Sequence, residues 1–151
     1  MPPAPNRRLR MAKEVRFVVP GEPQGKARPR FNNGHAVTPT KTANYETLTQ
    51  WEYTRQCGHR FPDDAMLDMR IKAYYAVPKS DSKKLRARKL AGEVRPTKKP
   101  DMDNVIKIIA DALNMVAYRD DTQIVDCQCR KFYSEEPRVE VTIRMIEPKE
   151  I

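Results

Sequence analysis

The sequence has few of the residues that build disulfide-bonded or zinc-binding proteins. Only three of its 151 residues are cysteine, and Cys127 and Cys129 fall two positions apart in a strand-like run. A zinc site would need CxxC-type pairs or neighbouring histidines, and neither His35 nor His59 has such partners. We therefore expect Cys57, Cys127 and Cys129 to be reduced, with no metal-thiolate centre, which favours a cytoplasmic protein.

Long apolar runs are also missing. No stretch approaches the roughly 20 apolar residues of a membrane-spanning helix, and the opening residues MPPAPNRRLRMAK lack the apolar segment of a secretory signal. We therefore expect a cytoplasmic protein that makes no membrane contact. Residues 1–13, rich in proline and arginine, predict a flexible basic tail. A hydrophobic content of 39% over this length predicts one domain, spanning residues 14–151.

Positive charge dominates the chain. There are 29 lysines and arginines against 20 acidic residues, a net charge of +9, which indicates a polyanionic partner such as nucleic acid. Basic surfaces also serve solubility and membrane association, so charge alone leaves those alternatives open. Three basic segments are candidates for contact with a phosphate backbone, and a solvated surface is their alternative. The candidate DNA-binding residues are Lys26, Arg28, Arg30, Lys83, Lys84, Arg86, Arg88, Lys98 and Lys99.

Hydrophobic periodicity predicts both strands and helices. Alternating residues predict strands at 14–19 and 67–77, and helical spacing predicts a helix from about Thr42 to Cys57. A short basic helix is expected over 83–89. The runs QIVDCQCRKFY and RVEVTIRMI flank Ser-Glu-Glu-Pro and predict a closing β-hairpin.

Two local details accompany these elements. Ser80 or Ser82 is expected to cap the short basic helix, because a serine hydroxyl accepts a hydrogen bond from a free N–H of the first turn. Trp51, Tyr53 and Phe61 are expected to pack in the core and not to stack on bases.

The segment KKPDMDNVIKIIADALNMVAYRDDTQIVD, residues 98–126, concentrates acidic side chains in an otherwise basic chain. Apolar residues from Val105 to Val116 recur at i, i+3, i+4, i+7, i+8 and i+11, which predicts an amphipathic helix with its apolar face inward. Pro100 disfavours helix immediately upstream, so we expect Asp101 to Asp103 to be extended or turn-like, with Asp103 or Asn104 near the N-cap of the helix.

Four aspartates and one lysine are the candidates for chemistry in this segment. Asp101 and Asp103 can converge on one side of the chain, and Lys107 lies one helical turn beyond Asp103. Asp120 and Asp121 fall in a short turn before the next strand, and a helix-to-strand return can bring them near the first pair.

Carboxylates grouped in this way suit a hard divalent cation. Magnesium is typically held by one or two carboxylates together with phosphate oxygens of the substrate. Such a site supports phosphodiester hydrolysis, with Lys107 stabilising the developing charge. In the structural alternative Asp103 is an N-cap, Asp120 and Asp121 are turn formers, and Lys107 pairs with Asp111.

The blocks PDMDNVIKIIADALN and YRDDTQIVD closely resemble the signature of RusA-type Holliday junction resolvases, including phage-borne members. The match joins a D-x-D-N-x-x-K block, a D-A-L on the same helix and a D-D-x-Q-[IV] turn, in order. GEPQGKARPRF is similar to a basic arm of phage-type members. The resemblance covers roughly residues 14–146.

This resemblance implies residue roles and a fold. It makes Asp101, Asp103 and Asp121 the catalytic, metal-binding aspartates, with Asp120 as a supporting ligand and Lys107 as the essential lysine. The implied fold is α+β, a two-layer α/β sandwich with a mixed sheet and two to three helices, in a homodimer.

The resemblance also implies an activity. The expected function is magnesium-dependent resolution of four-way DNA by paired symmetric nicks, in recombination and repair, with Mn²⁺ able to substitute. One alternative is a broader nuclease that acts on flaps or forks. Another is a nucleic-acid-binding protein without catalysis, in which the aspartates only cap and turn.

Overall fold

A four-stranded mixed sheet organises the fold in the computed structural model, which describes residues 13–28, 30–37 and 39–148. Its strands are β1 Glu14–Pro20, β4 Met66–Ala76, β5 Ile124–Ser134 and β6 Arg138–Ile146, and a separate two-stranded ribbon consists of β2 Arg30–Asn32 and β3 His35–Val37. The strand order in the sheet is β1-β6-β4-β5. β6 is antiparallel to both β1 and β4, whereas β4 and β5 run parallel.

Three α-helices accompany the sheet in the described ranges: α1 Thr40–Gln56, α2 Lys83–Leu90 and α3 Met102–Ala112. α1 packs on β1 and on α3, while α2 and α3 contact β5. The strand residues that alternate toward the helices, such as Phe17, Ile71 and Val141, are fully buried. This arrangement confirms the predicted α+β fold with a mixed sheet. The homodimer remains a prediction.

β4 is an inner strand of the sheet, and its apolar side chains are almost completely buried. Leu67, Met69, Ile71, Ala73 and Tyr75 are each at most 1% exposed. The predicted hairpin of the last two strands is wrong, because β4 lies between β5 and β6 and pairs with both. The short link at 135–137 therefore crosses the end of β4.

α3 confirms the predicted amphipathic helix but begins and ends earlier. Its N-cap is Asp101, not Asp103 or Asn104, because a proline restricts the residue before it and leaves the residues after it free to enter a helix. The helix ends at Ala112, and Met115 has a φ of 64°, in the left-handed region. Val116 therefore lies beyond the helix.

The aromatic expectations are met in part. Tyr53 and Phe61 are buried as predicted, whereas Trp51 is 72% exposed, so its predicted core packing is wrong. α1 instead turns Thr42, Tyr45, Thr49 and Tyr53 inward. The buried Thr49 is tolerated because its hydroxyl donates to the Tyr45 carbonyl at 2.8 Å.

The ends of two elements also bear on the predictions. Ser82 caps α2, accepting a hydrogen bond from Leu85 N at 3.2 Å. Residues 1–12 of the predicted tail lie outside the described residues, while Lys13 already joins the sheet through its carbonyl, which accepts from Met145 N at 2.7 Å. Within the described ranges, no helix is long and apolar enough to cross a membrane.

Candidate active site

Two carboxylates from different elements meet at the end of α3. Asp111 belongs to the last turn of α3, and Asp121 begins a 3-10 turn over Asp121–Gln123, just before β5. Burial of the Asp121 carboxyl, then its hydrogen bond to Asp111 and the negative charges of Asp111 and Asp120, raise the pKa of Asp121. Anionic oxygens held this close repel one another, which is the electrostatic setting that a bound cation relieves.

The turn that carries Asp121 is held by two amide side chains. Asn114 Oδ1 accepts from Asp121 N at 2.8 Å. Gln123 Nε2 donates to the Pro62 and Ala65 carbonyls at 2.9 and 3.1 Å. Because Gln123 Oε1 also accepts from Arg119 N at 3.0 Å, this side chain fixes the start of the turn. The glutamine of the D-D-x-Q motif therefore has a positioning role.

Asp120 is occupied within the same turn. Its carboxylate accepts from the Thr122 hydroxyl at 2.6 Å. This hydrogen bond, which outweighs desolvation, lowers the pKa of Asp120. Asp120 thus differs electrostatically from its neighbour Asp121, and the turn-forming alternative describes Asp120 well.

Lys26 ties the basic arm to this carboxylate pair. Its Nζ lies 3.1 Å from Glu46 Oε2 on α1 and 3.4 Å from Asp111 Oδ2. Burial opposes the charge of Lys26, but hydrogen bonds and charges from Glu46 and Asp111 raise its pKa overall. The structure does not present Lys26 as a free cation for a phosphate backbone. It joins the arm, α1 and α3 instead.

Asp101 and Asp103 lie at the other end of α3, and both are exposed. Asp103 precedes Asp111 by eight residues, which corresponds to about 12 Å along the helix axis. Among residues 13–28, 30–37 and 39–148, no three metal-ligating side chains are grouped closely enough to hold an ion. The structure therefore does not gather Asp101, Asp103 and Asp121 as the sequence suggested.

Lys107 stands between the two acidic ends of α3, one turn from Asp103 and one turn from Asp111. Its side chain is exposed, and it forms no ion pair with any described residue. Asp111 pairs with Lys26, so the alternative partnership of Lys107 with Asp111 is not formed. The Lys107 ammonium remains available to an anionic ligand.

A cleft of about 610 Å³ opens beside the first turn of α3. Asp101 and Asn104 line one wall, and Lys26, Lys41 and Lys99 are among the other lining residues. The basic arm can lie close to the first turn of α3 because residue 25 is glycine. A Cβ at this position would be 3.0 Å from Pro100 Cβ and 3.1 Å from Asn104 Cβ. A main-chain hydrogen bond from Lys26 N to Asn104 O, 3.2 Å long, fastens the arm to α3.

The remaining candidate DNA-binding residues divide into exposed cations and paired ones. Arg28, Lys83, Lys84, Lys98 and Lys99 are exposed. Arg86 and Arg88 pair with Glu135 and Glu93, each at 3.2 Å on the surface, where such pairs are weak. Arg30 lies in β2, and its side chain is outside the described part. Lys89 is buried against Asp81 at 2.6 Å.

Comparison with known proteins identifies the family. A family model described as Endodeoxyribonuclease RusA matches residues 20–144. The chain belongs to the RusA endodeoxyribonuclease family. It is also similar to uncharacterized protein YqaN of Bacillus subtilis (strain 168), with 42% identity over 141 residues that cover 87% of this chain and 96% of that protein. The RusA resemblance inferred from the motifs is confirmed, and with it the nuclease class.

Asp111 is the carboxylate beside Asp121 that sequence reasoning left out of the candidate ligands. A signal was present, because Asp111 is the acid of the D-A-L block and is spaced four residues from Lys107 on the polar side of α3. Asn114 and Gln123 were likewise within the recognised motifs. Their role in holding Asp121 depends on contacts that spacing does not reveal.

The side chains at the end of α3 fit a hard divalent cation. Asp111 and Asp121 offer carboxylate oxygens side by side, and the raised pKa of Asp121 reflects burial and anionic crowding. Two carboxylates plus substrate phosphate oxygens are a typical ligand set for magnesium. The metal and the residue roles remain predictions.

Proposed function

We propose that this RusA family protein is a magnesium-dependent endonuclease that resolves four-way DNA junctions by paired symmetric nicks. The observation that carries the proposal is the Asp111–Asp121 carboxylate pair, formed at the RusA motifs and flanked by the exposed Lys107. Acidic side chains crowded within a basic surface are suited to work on a phosphodiester through a cation.

Each motif residue has a task in this proposal. Magnesium, or manganese in its place, would supply Lewis-acid polarisation of the scissile phosphate and a more acidic bound water. Asp121 and Asp111 would hold it, with Asp120 as the predicted supporting ligand in the same turn. Asp101 and Asp103 lie at the other end of α3, so as ligands they would hold a second cation there. Lys107 would donate to the phosphate oxygens as negative charge develops. Asn114 and Gln123 keep Asp121 in place.

The cations explain how DNA would be held. Lys99 and Lys41 line the cleft that contains Asp101, and Lys83 and Lys84 extend the basic surface along α2. Contacts to phosphates position DNA without reading its sequence. A C2 homodimer would place two such sites across the pseudo-twofold axis of a four-way junction, which accounts for paired nicks.

The decisive experiment compares a labelled synthetic four-way junction with a linear duplex of the same sequence, in magnesium, manganese or EDTA. Asp103→Asn and Asp111→Asn are tested beside the wild type. Glu14→Gln is the matched control, because Glu14 is an exposed carboxylate of β1 on the sheet face opposite the helices.

Metal-dependent paired nicks on the junction, lost in Asp103→Asn with binding retained, would support resolution. A cleavage defect in Asp111→Asn would add Asp111 to the site. Equal cutting of flaps and forks would replace the proposal with the broader nuclease. Binding without product in either metal would instead identify a nucleic-acid-binding protein.

A further inference from the structure

The β2–β3 ribbon is a small element that ends in a tight turn. β2 and β3 pair antiparallel, with Phe31 opposite Ala36 and Asn32 opposite His35. The two turn residues, Asn33 and Gly34, have φ values of 52° and 80°. Two successive positive φ angles at Asn-Gly are typical of a type I′ turn, which matches the twist of the flanking strands. The ribbon is thus a regular two-stranded hairpin, with Phe31 on its first strand.

Phe31 is the most exposed large apolar side chain among the described residues, at 79%. Its cross-strand neighbour, Ala36, is too small to cover an aromatic ring and is itself exposed. By contrast, Phe17 and Phe61 are at most 2% exposed. Single exposed apolar residues are common, so the surroundings of Phe31 decide whether its exposure has a use.

The segment around Phe31 is rich in basic residues. Residues 23–45 contain four basic residues, Lys26, Arg28, Arg30 and Lys41, and no aspartate or glutamate. Lys26 is paired with Glu46 and Asp111, whereas Arg28 and Lys41 are exposed. In a chain with 20 acidic residues, this composition makes the segment complementary to a polyanion.

Two adjoining clefts are lined by the segments that flank the ribbon, and one of them reaches the first turn of α3. A cleft of about 380 Å³ at the base of the ribbon is lined by Arg28, Pro39 and Lys41. It shares Gln24, Gly25, Ala27 and Lys41 with the larger cleft that contains Asp101. The ribbon is also pinned at its base, where Ala27 N donates to the Thr42 hydroxyl at 3.3 Å. Phe31 follows Ala27 by four residues, a span of at most about 14 Å.

We propose that Phe31 stacks on a DNA base that is unpaired or unstacked at the branch point, and so helps the protein to distinguish branched DNA from duplex. The inference rests on the branched-DNA function proposed above. An aromatic ring stacks on the face of any base, whereas the bases inside an intact duplex already stack on one another. Cations beside the ring hold the phosphates, and the ring detects an open base.

The test uses the full chain with EDTA, so that binding is measured without cleavage. The probes are a four-way junction with 2-aminopurine next to the branch point and a linear duplex of the same sequence. Phe31→Ala removes the ring, and Phe31→Tyr keeps it. Trp51→Ala is the matched control, because Trp51 is equally an exposed aromatic residue but lies on α1 and outside the two clefts.

Phe31→Ala is expected to weaken junction binding by about 5- to 100-fold, to change duplex binding less than about twofold, and to abolish the 2-aminopurine fluorescence change. Phe31→Tyr should behave as wild type, and so should Trp51→Ala. Thermal melting should show every variant folded, because both aromatic residues are exposed.

Unchanged junction binding in Phe31→Ala, or an equal loss of affinity for the junction and the duplex, would overturn the stacking proposal. The proposed function would still stand if the wild type cleaved junctions in magnesium. If Phe31→Ala converted a dimeric protein to a monomer, the stacking proposal would also be overturned, because this result would show that Phe31 contacts a second copy of the chain. A wild type that showed no preference for the junction would reject the proposed function, and this inference with it.

Discussion

The Lys26 ammonium lies 3.4 Å from Asp111 Oδ2, so a residue of the basic arm contacts the carboxylate that faces Asp121. The same ammonium lies 3.1 Å from Glu46, and all three side chains are mostly buried. One cation therefore offsets the repulsion within an acidic group contributed by several elements. This relationship links the stability of the fold to the arrangement of the candidate site.

Lys26→Met should destabilise the protein, because it leaves the mostly buried carboxylates of Glu46 and Asp111 without the cation that contacts both. We expect a loss of about 1–3 kcal/mol in the free energy of unfolding, measured by urea denaturation in EDTA. Lys26→Arg, which keeps the charge, should recover most of it. Added Glu46→Gln should reduce the penalty of Lys26→Met, since coupled residues are non-additive. If the two changes in unfolding free energy were strictly additive, Lys26 and Glu46 would not be energetically coupled.

Asp121→Asn should stabilise the metal-free protein at neutral pH. The folded-state pKa of Asp121 is raised above 3.8, so its ionisation disfavours the folded state as pH rises past that value. The amide removes this cost. The variant should melt about 1–3 °C higher than wild type at pH 7 in EDTA, with the difference fading as pH falls toward 3.8 and absent below it.

Magnesium provides the companion measurement for Asp121. A cation that binds only the folded state raises the melting temperature, so magnesium should stabilise wild type and have less effect on Asp121→Asn. Glu14→Gln should respond as wild type. A magnesium response that survives in Asp121→Asn would remove Asp121 from the metal site.

Gln123→Glu should weaken the turn that carries Asp121. The amide donates to the carbonyls of Pro62 and Ala65, and a carboxylate in its place would repel both oxygens. We expect a loss of about 1–3 kcal/mol in unfolding free energy, read from chemical denaturation. Gln128→Glu, an exposed change on β5, should cost less than about 0.5 kcal/mol. Equal effects at the two positions would refute the positioning role of Gln123.

Gly25→Ala should push the arm away from α3. The added methyl group would meet Pro100 and Asn104 at 3.0 and 3.1 Å, so the two segments must separate or strain. A loss of about 1–3 kcal/mol is expected from thermal or urea unfolding. Ala27→Ser, at an exposed position of the same arm, should be close to neutral. Unchanged stability in Gly25→Ala would show that the arm moves freely.

Lys83→Ala combined with Lys84→Ala should make DNA binding less dependent on salt. A lysine that binds a phosphate contributes about 0.9 to the slope of log affinity against log salt, so its removal makes that slope shallower by this amount. Lys72→Ala is the control, because Lys72 lies on the sheet face opposite the helices, beside Arg70 and Arg130. A larger change in slope for Lys72→Ala would place the DNA on that open face.

Local features of the sequence determined much of the fold. The period of apolar residues in α3 and their alternation in β1 and β4 are local properties, so the elements were predictable from neighbouring residues. The D-x-D-N-x-x-K and D-D-x-Q motifs likewise pointed to the acidic segment and to the RusA family. Sequence neighbours usually pair in sheets, however, and this expectation failed for β5 and β6.

The tertiary structure alone decided which carboxylates meet. Asp111 and Asp121 come together because the chain turns back after α3, and Lys26 joins them from a segment 85 residues earlier than Asp111. The insertion of β4 between β5 and β6 has the same origin, since it depends on which strand buries the most apolar surface. Side-chain periodicity specifies the faces of individual elements, whereas contacts between distant segments depend on how those faces pack together.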